Sequence, residues 1–335
     1  MELFEFSRAA SAPDAIAAGA KSKTAQQGAD VRYLAGGTTL YDLMKLDVER
    51  PQYVVDINRL PLDRVEKIEG GGLRIGALAR NSVVAHHPDV LKHYPVLSQA
   101  ILQGASGQIR NMASTSGNLL QRTRCVYFRD VTMPCNKREP GSGCSAIEGF
   151  NRNLAILGTS DKCIASNPSD QNVALMALGA TVQIQGPKGE RTVPIGEFFL
   201  LPGNTPQRET VLLPGDLITH ITLPAMPTGA TSLYLKLRDR ASYEFALASA
   251  AVIAVVNDGK FDSVQIAMGG VGTIPWRASA AEAFLKGKST DPTLYRAAAE
   301  AVLKDARPQS ENGFKVELAK RCLVHALTLV TKEQA

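Results

Sequence analysis

Residues 31–46 read VRYLAGGTTLYDLMKL, and this stretch decides the fold of the N-terminal half of the chain. Residues 31–34 have the pattern of a short strand, residues 35–39 form a glycine turn, and the apolar residues from 40 onward have helical spacing. Consecutive N–H groups in a Gly-Gly turn form an anion nest, and a helix start adds partial positive charge. The stretch therefore predicts a unit that can hold a pyrophosphate, although an ordinary strand-to-helix turn has the same pattern.

A second segment of small residues, GASGQIRNMASTSGNLL, spans residues 104–120. Such a run packs poorly by itself and allows the backbone to approach a ligand closely. Neither segment is the G-x-G-x-x-G fingerprint, so NAD bound in the Rossmann manner is not supported. Two small-residue segments in one half of the chain favour a dinucleotide between them, and a plain glycine-rich loop is the alternative.

The cysteines form the third pattern. Their number, five, is odd, which argues against a simple disulfide framework. Four are spaced Cys125-x9-Cys135-x8-Cys144-x18-Cys163, and Cys322 stands alone on a helical pattern. These gaps are too long for the paired cysteines of a structural zinc site, whereas four thiolates on an irregular loop suit a [4Fe–4S] cluster. The spacing alone leaves a cluster, a zinc site, disulfides or unligated cysteines open.

Basic side chains near these cysteines would partly offset the negative charge of a thiolate-ligated cluster, namely Arg122, Arg124, Arg129, Lys137 and Arg138. Cys322 is predicted to be a small buried apolar side chain.

The C-terminal third has its own pattern. Strands are predicted at 231–238, 246–256 and 261–268, with Asn257-Asp258-Gly259 as a hairpin turn between the last two. Helices are predicted at 278–286, 292–305 and 315–331. A boundary near residue 226, in a proline-containing stretch, separates this part from the rest.

The bulk properties exclude several classes. The 335 residues suffice for two or three packed units, and a formal charge of +5 spread along the chain gives little support for a nucleic-acid partner. No apolar window approaches a membrane span, and the N-terminus lacks a secretory pattern. No nucleophile elbow, zinc-protease helix or P-loop is present, so we expect no catalytic residue of a self-sufficient substrate site.

The motifs Ala35-Gly36-Gly37-Thr38, SGQIRN at 106–111 and STSGN at 114–118 resemble the flavin-binding segments of the medium subunits of the xanthine dehydrogenase family. The resemblance runs from residue 1 to about residue 330. Most members lack cysteines after the Gly-Asn. The insertion here, with RCVYF, PCNKR and PGSGC, resembles the FAD subunits of periplasmic aldehyde oxidoreductases, a three-subunit molybdenum group. Ser116 is a departure, since many relatives have glycine there.

The resemblance implies an α+β fold. Residues 1–225, with the insertion at 122–168, would form a two-part FAD-binding domain of the vanillyl-alcohol-oxidase (PCMH) type. Residues 226–335 would form a small domain with a three-stranded antiparallel sheet and helices. The implied FAD contacts are Arg32, Tyr33, Leu34, Ala35, Gly36, Gly37, Thr38, Thr39, Leu40, Gly104, Ser114, Gly117, Asn118, Asp170, Ile218 and Lys236. The implied ligands of one [4Fe–4S] cluster are Cys125, Cys135, Cys144 and Cys163.

The resemblance also implies a function. A large partner subunit with a molybdenum cofactor would oxidise an aldehyde with water to a carboxylate, and a small partner with two [2Fe–2S] clusters would pass the electrons to FAD here. This heterotrimer would reach the periplasm on a partner's signal, with the cytoplasm as the alternative. The rival readings are a flavoprotein subunit of a 4-hydroxybenzoyl-CoA reductase-like enzyme, a stand-alone FAD oxidoreductase and a zinc-bound scaffold.

Overall fold

The structure is a computed structural model that describes residues 1–332, so residues 333–335 of the predicted C-terminal domain lie outside it. The N-terminal unit is a small parallel sheet with strand order β1-β3-β2. The strand predicted at 31–34 is confirmed as β2. In chain order the unit comprises β1 (Glu5–Arg8), α1 (Ala12–Gly19), β2 (Val31–Leu34), α2 (Leu40–Lys45) and β3 (Tyr53–Asp56).

The middle unit is a five-stranded antiparallel sheet with strand order β4-β5-β8-β6-β7. Its last strand lies between β5 and β6 and pairs with both, which ties the beginning of the unit to its end. In chain order the elements are β4 (Val65–Lys67), β5 (Leu73–Gly76), α3 (Asn81–His86), α4 (Pro88–His93), α5 (Pro95–Gln103), α6 (Gly107–Met112), α7 (Thr115–Leu119), α8 (Val126–Arg129), α9 (Ser145–Glu148), α10 (Asp170–Leu178), β6 (Thr181–Gly186), β7 (Gly189–Pro194), α11 (Ile195–Phe198) and β8 (Leu217–Leu223).

The segment 104–120 differs from the open loop that its composition suggests. It contains the short helices α6 and α7, because each has a serine cap: Ser106 Oγ accepts a hydrogen bond from Ile109 N at 3.3 Å, and Ser114 Oγ accepts one from Gly117 N at 3.2 Å. Such caps satisfy backbone donors that otherwise have no partner in the first helical turn.

The C-terminal unit is an antiparallel sheet with strand order β12-β11-β10-β9 and a cover of helices. Three long strands match the expected sheet, and a two-residue strand, β12, extends its edge. Asp258 (φ 49°) and Gly259 (φ 69°) form the predicted hairpin turn with two left-handed residues. In chain order the elements are β9 (Thr231–Leu237), β10 (Ala248–Asn257), β11 (Lys260–Gly269), β12 (Trp276–Arg277), α12 (Ser279–Leu285), α13 (Pro292–Leu303) and α14 (Phe314–Lys332).

Strand β10 is buried on both faces, which explains its continuous apolar sequence. Val252 and Ala254 face a core that includes Leu323 and the buried Cys322 of α14, as predicted for that cysteine. Ala251 and Ile253 face the core of the middle unit. The C-terminal sheet is therefore packed between its own helices and the middle unit. Within residues 1–332, no helix combines the length and apolar character needed to cross a bilayer.

The insertion between α7 and α10 is mostly irregular, with only the short helices α8 and α9. The ammonium of Lys315, a fully buried residue in the first turn of α14, fixes its second half. Lys315 Nζ donates hydrogen bonds to the carbonyls of Leu154 at 2.9 Å, Gly270 at 2.6 Å and Asn153 at 3.3 Å. One side chain of the last helix thus joins the insertion to the C-terminal sheet.

Candidate functional site

A large cavity of about 270 Å³ lies where the N-terminal unit, the middle unit and the insertion meet. Its wall includes the turn 35–39 that joins β2 to α2, residues of α7, and the segment 199–202 together with 209–218. Clefts between packed units, lined by backbone and a few polar groups, are the usual sites for cofactors. This cavity is the candidate cofactor site.

The two glycines of the turn, Gly36 and Gly37, lie where a side chain has no room. A Cβ added to Gly36 would lie 2.1 Å from the carbonyl oxygen of Met112. Gly37 has a φ of +72°, and a Cβ there would lie 2.6 Å from the ring of Tyr41. The turn therefore needs glycine at both positions and leaves its backbone bare toward the cavity, which fits the close approach of a pyrophosphate.

The second small-residue segment meets the same cavity through α7. Gly117 lines it, and a Cβ there would lie 2.9 Å from Ser114 Oγ. Ser116, the departure from the family pattern, is accommodated, because its hydroxyl donates to the carbonyl of Ala77 at 2.9 Å. The serine at 116 therefore anchors α7 to the end of β5 instead of distorting the turn.

Most of the predicted flavin contacts lie in the wall of this one cavity. They are Arg32, Tyr33, Ala35, Gly36, Gly37, Thr38, Thr39, Leu40, Ser114, Gly117 and Ile218. The other five lie outside it, namely Leu34, Gly104, Asn118, Asp170 and Lys236. Leu34 is buried in the core, and the amide oxygen of Asn118 accepts hydrogen bonds from Ser169 and Gln121.

Asp170 and Lys236 form a buried ion pair away from the large cavity. Lys236 Nζ lies 2.7 Å from Asp170 Oδ2, and the hydroxyl of Tyr234 donates to Asp170 Oδ1 at 2.5 Å. Burial and the neighbouring Asp170 carboxylate raise the pKa of Tyr234 well above its ordinary value. The pair joins α10 to β9, and its role as a flavin contact stays a prediction.

A network of charged side chains lies at one end of the cavity, and its two carboxylates, Glu49 and Glu209, have no signal in the sequence. Arg122 Nε donates to Glu209 at 2.5 Å and Arg122 Nη1 donates to Glu49 at 2.6 Å. Arg32 also pairs with Glu49, at 2.8 Å, and Lys137 pairs with Glu209, at 2.9 Å. All five residues line the cavity. Arg122 lies 73 residues from Glu49 and 87 residues from Glu209 in the chain, so only the fold brings these three together.

This network sets the protonation of Glu209. Burial alone would raise the pKa of Glu209, but the Arg122 guanidinium and the Lys137 ammonium outweigh it and lower the pKa to about 2. Unfolded chain has the ordinary value of 4.5. The ionised Glu209 carboxylate, paired with Arg122 and Lys137, therefore stabilises the fold fully above pH 4.5. This contribution is lost as the pH falls through about 2.

We expect Glu209→Gln to lower the thermal unfolding midpoint at about pH 6, because Arg122 and Lys137 lose a counter-charge. The difference in unfolding midpoint between the variant and wild type should narrow as the pH falls to about 3. The pH-dependent part of the difference in free energy of unfolding should amount to at most about 3 kcal/mol. Calorimetry at several pH values measures it. Glu300→Gln, which breaks an exposed pair with Arg296, should leave the profile nearly unchanged. A constant gap at all pH values would contradict the assignment.

The four clustered cysteines surround a second, small cavity that the large one adjoins. Cys125, Cys135, Cys144 and Cys163 all line it, and the residues Lys137, Cys163 and Ala165 line both cavities. Cys135 and Cys144 also face each other across an isolated β-bridge. Burial raises the pKa of the Cys125 thiol to about 12 and also raises the pKa values of Cys144 and Cys163. Because burial favours the neutral thiols, these cysteines would ionise only if a bound metal centre stabilised the thiolates.

The four cysteines line one cavity but do not by themselves define the metal that they hold. Among residues 1–332, no set of three His, Cys, Asp or Glu side chains is placed to hold one metal ion. A tetrahedral zinc site would need four sulfurs at about 2.3 Å from one point. Four thiols are the donor set of a [4Fe–4S] cluster and equally of a tetrahedral zinc site.

Known proteins resemble the chain over nearly its whole length. Residues 2–226 match the FAD-binding domain of molybdopterin dehydrogenases, and residues 233–330 match the C-terminal domain of CO dehydrogenase flavoproteins. The chain is 50% identical, over 305 residues, to the FAD-binding subunit of an aldehyde oxidoreductase of Escherichia coli, covering 91% of this chain and 92% of the relative. It is 28% identical to the glyceraldehyde dehydrogenase medium chain of Sulfolobus acidocaldarius, covering 92% and 90%.

The fold is also that of a solved structure, the carbon monoxide dehydrogenase from Hydrogenophaga pseudoflava. The TM-score is 0.77 at 25% identity, and the match covers 99% of this chain and 98% of that one. The predicted combination of an FAD-binding domain and a smaller C-terminal domain is therefore confirmed.

Proposed function

This chain belongs to the xanthine dehydrogenase family as an FAD-binding medium subunit of the molybdenum hydroxylase type, and we propose that it carries FAD and one [4Fe–4S] cluster in a heterotrimeric aldehyde oxidoreductase. The identity of 50% to an aldehyde oxidoreductase subunit carries the choice of aldehyde chemistry. The proposed domains are residues 1–225, with the insertion at 122–168, and residues 226–335.

The residues of the large cavity bind and orient the flavin nucleotide in this proposal. The bare backbone of the turn at Gly36 and Gly37 accepts the pyrophosphate, and the caps Ser106 and Ser114 hold the second segment in place. When bound, FAD supplies a carrier that takes electrons from one partner and releases them to an acceptor. Binding and electrostatics are therefore the contribution of this chain, and no side chain of it is assigned a chemical step.

The [4Fe–4S] proposal is supported by two independent observations. The spacing of Cys125, Cys135, Cys144 and Cys163 is too long for paired zinc ligands, and the fold brings all four thiols to one buried cavity. The adjoining Lys137 offsets part of the negative charge of a thiolate-ligated cluster. Cys322 takes no part, because it is buried in a different core.

The proposed partners are a large subunit with the molybdenum cofactor and a small subunit with two [2Fe–2S] clusters. Relatives of this chain are medium chains of multi-subunit enzymes, such as the carbon monoxide dehydrogenase medium chain of Hydrogenophaga pseudoflava, at 26% identity. We propose the periplasm as the location, reached by export with a signal-bearing partner.

We expect the chain to co-purify from its native host with a molybdenum subunit and a [2Fe–2S] subunit. Its own visible spectrum should show flavin and iron–sulfur absorption, whereas a zinc-bound scaffold would be colourless. Acid precipitation should release all the flavin, because no histidine or cysteine lies in the two flavin segments. A monomer that alone turns over a small substrate would refute the subunit role and favour a stand-alone oxidoreductase.

A further inference from the structure

Arg122 lines the large cavity, and one of its guanidinium nitrogens, Nη2, is buried without a protein partner among the described residues. The side chain is 11% exposed. Among residues 1–332, no atom accepts a hydrogen bond from Arg122 Nη2. Arg124 and Arg129 also keep one unpaired nitrogen, but neither lines this cavity. Leaving a buried charged donor unpaired costs about 1–3 kcal/mol or more, so such a donor points to a ligand.

The other atoms of the Arg122 guanidinium are held firmly. Nε donates to Glu209 and Nη1 donates to both Glu49 and Gln27. These contacts fix the plane of the group and leave Nη2 as the free donor. The surrounding network contains three cations, Arg32, Arg122 and Lys137, but only two carboxylates, Glu49 and Glu209. One positive charge is therefore in excess at this end of the cavity.

We propose that Arg122 binds FAD directly, through a hydrogen bond from Nη2 to the pyrophosphate. The inference rests on the proposed FAD site. The excess positive charge selects an anionic acceptor, and the pyrophosphate is the anionic part of FAD. The glycine turn that suits the pyrophosphate lines the same cavity. It leads into α2, and Leu43 of that helix packs in the same buried cluster as Phe128, on which Arg122 lies.

The same side chain links FAD binding to the cysteine centre. The Arg122 guanidinium lies 4.6 Å from the centroid of the Phe128 ring, and Phe128 is fully buried against Cys125, Cys135 and Cys163. When these cysteines hold their cluster, Phe128 has a fixed position and supports the guanidinium from one side. Losing the cluster loosens this support, so FAD affinity depends on the iron–sulfur centre through Arg122.

The test measures the dissociation constants of FAD, ADP and riboflavin for the flavin-free full chain with its iron retained. Arg122→Gln should raise the dissociation constants of FAD and ADP by about 10- to 100-fold, which corresponds to the loss of a charged hydrogen bond. It should change the dissociation constant of riboflavin little. Arg152→Gln is the matched control. Arg152 also lies on a phenylalanine, Phe314, and pairs with a carboxylate, Asp239, but it does not line the cavity. Its change should leave all three affinities intact.

A second arm tests the link to the cluster. Cys144→Ser, which loses its iron, should have a lower affinity for FAD. The double variant with Arg122→Gln should bind FAD no more weakly than Arg122→Gln alone. Additive losses would overturn the link. Unchanged FAD and ADP affinity in Arg122→Gln, or equal losses for all three ligands, would overturn direct binding.

If Arg122→Gln fails to fold, Arg122→Lys is tested instead, because it keeps a positive charge between the carboxylates. It should also lower the affinities for FAD and ADP and change that for riboflavin little, with smaller losses than Arg122→Gln. A loss of riboflavin affinity as large as the losses for FAD and ADP would refute the proposal. A wild-type chain that binds no FAD at all would refute the proposed function instead.

Discussion

Replacing Gly36 with valine should abolish FAD binding while the chain stays folded. The added Cβ would lie 2.1 Å from the carbonyl oxygen of Met112, a backbone atom that cannot rotate away. The turn and the end of α6 must separate, which displaces both flavin segments at once. Overpacking typically costs about 1–3 kcal/mol, and a backbone atom in the way places this site at the upper end, so the FAD dissociation constant should rise by about 100-fold.

Flavin content per chain and a fluorescence titration with FAD measure this effect, with circular dichroism to show that the fold is kept. Gly313→Val is the matched control, because Gly313 lies outside both flavin segments and a Cβ there meets no atom within 4 Å. It should retain its flavin. A Gly36→Val protein with normal flavin content would show that the turn does not hold the cofactor.

Replacing Cys144 with serine should remove the iron–sulfur centre. Wild-type protein prepared without oxygen should contain about four iron and four sulfide per chain, following the composition of the cluster. The variant should lose nearly all of both, because three thiols hold a cluster poorly. The insertion should also lose order, since fixing its backbone costs roughly 1–2 kcal/mol per residue and its own apolar cluster is small.

Iron and sulfide analysis, together with limited proteolysis of the insertion, checks this result. Cys322→Ser is the control, because Cys322 is fully buried in the core of the C-terminal unit and should not affect iron content. Full iron content in Cys144→Ser, or zinc in place of iron in the anaerobic protein, would show that the four cysteines do not hold a [4Fe–4S] cluster.

The features that sequence predicted well are those with a local physical cause. The turn at Gly36 and Gly37 follows from backbone freedom, and the strands around Asn257-Asp258-Gly259 follow from turn chemistry. The continuous apolar sequence of β10 predicts a strand there, and the burial of both its faces explains that sequence. The four clustered cysteines line one cavity, and their role as ligands of one cluster stays a prediction.

The features that sequence did not predict depend on contacts between distant residues. Glu49 and Glu209 lie 73 and 87 residues from Arg122 in the chain, and nothing in their local sequence marks them as its partners. The pairing of Asp170 with Lys236 crosses 66 residues, and it places both outside the large cavity. The helices α6 and α7 are not predicted, because serine, the residue that caps each of them, is equally typical of a loop.

The clamp made by Lys315 has a consequence for the order of biosynthesis. Lys315 lies in the last helix, and it holds the backbone at Leu154, between Cys144 and Cys163. A ribosome makes the cysteine loop long before it makes this helix, so the nascent loop has no clamp. We therefore expect the second half of the insertion to become fixed only after α14 has been made and has packed against it.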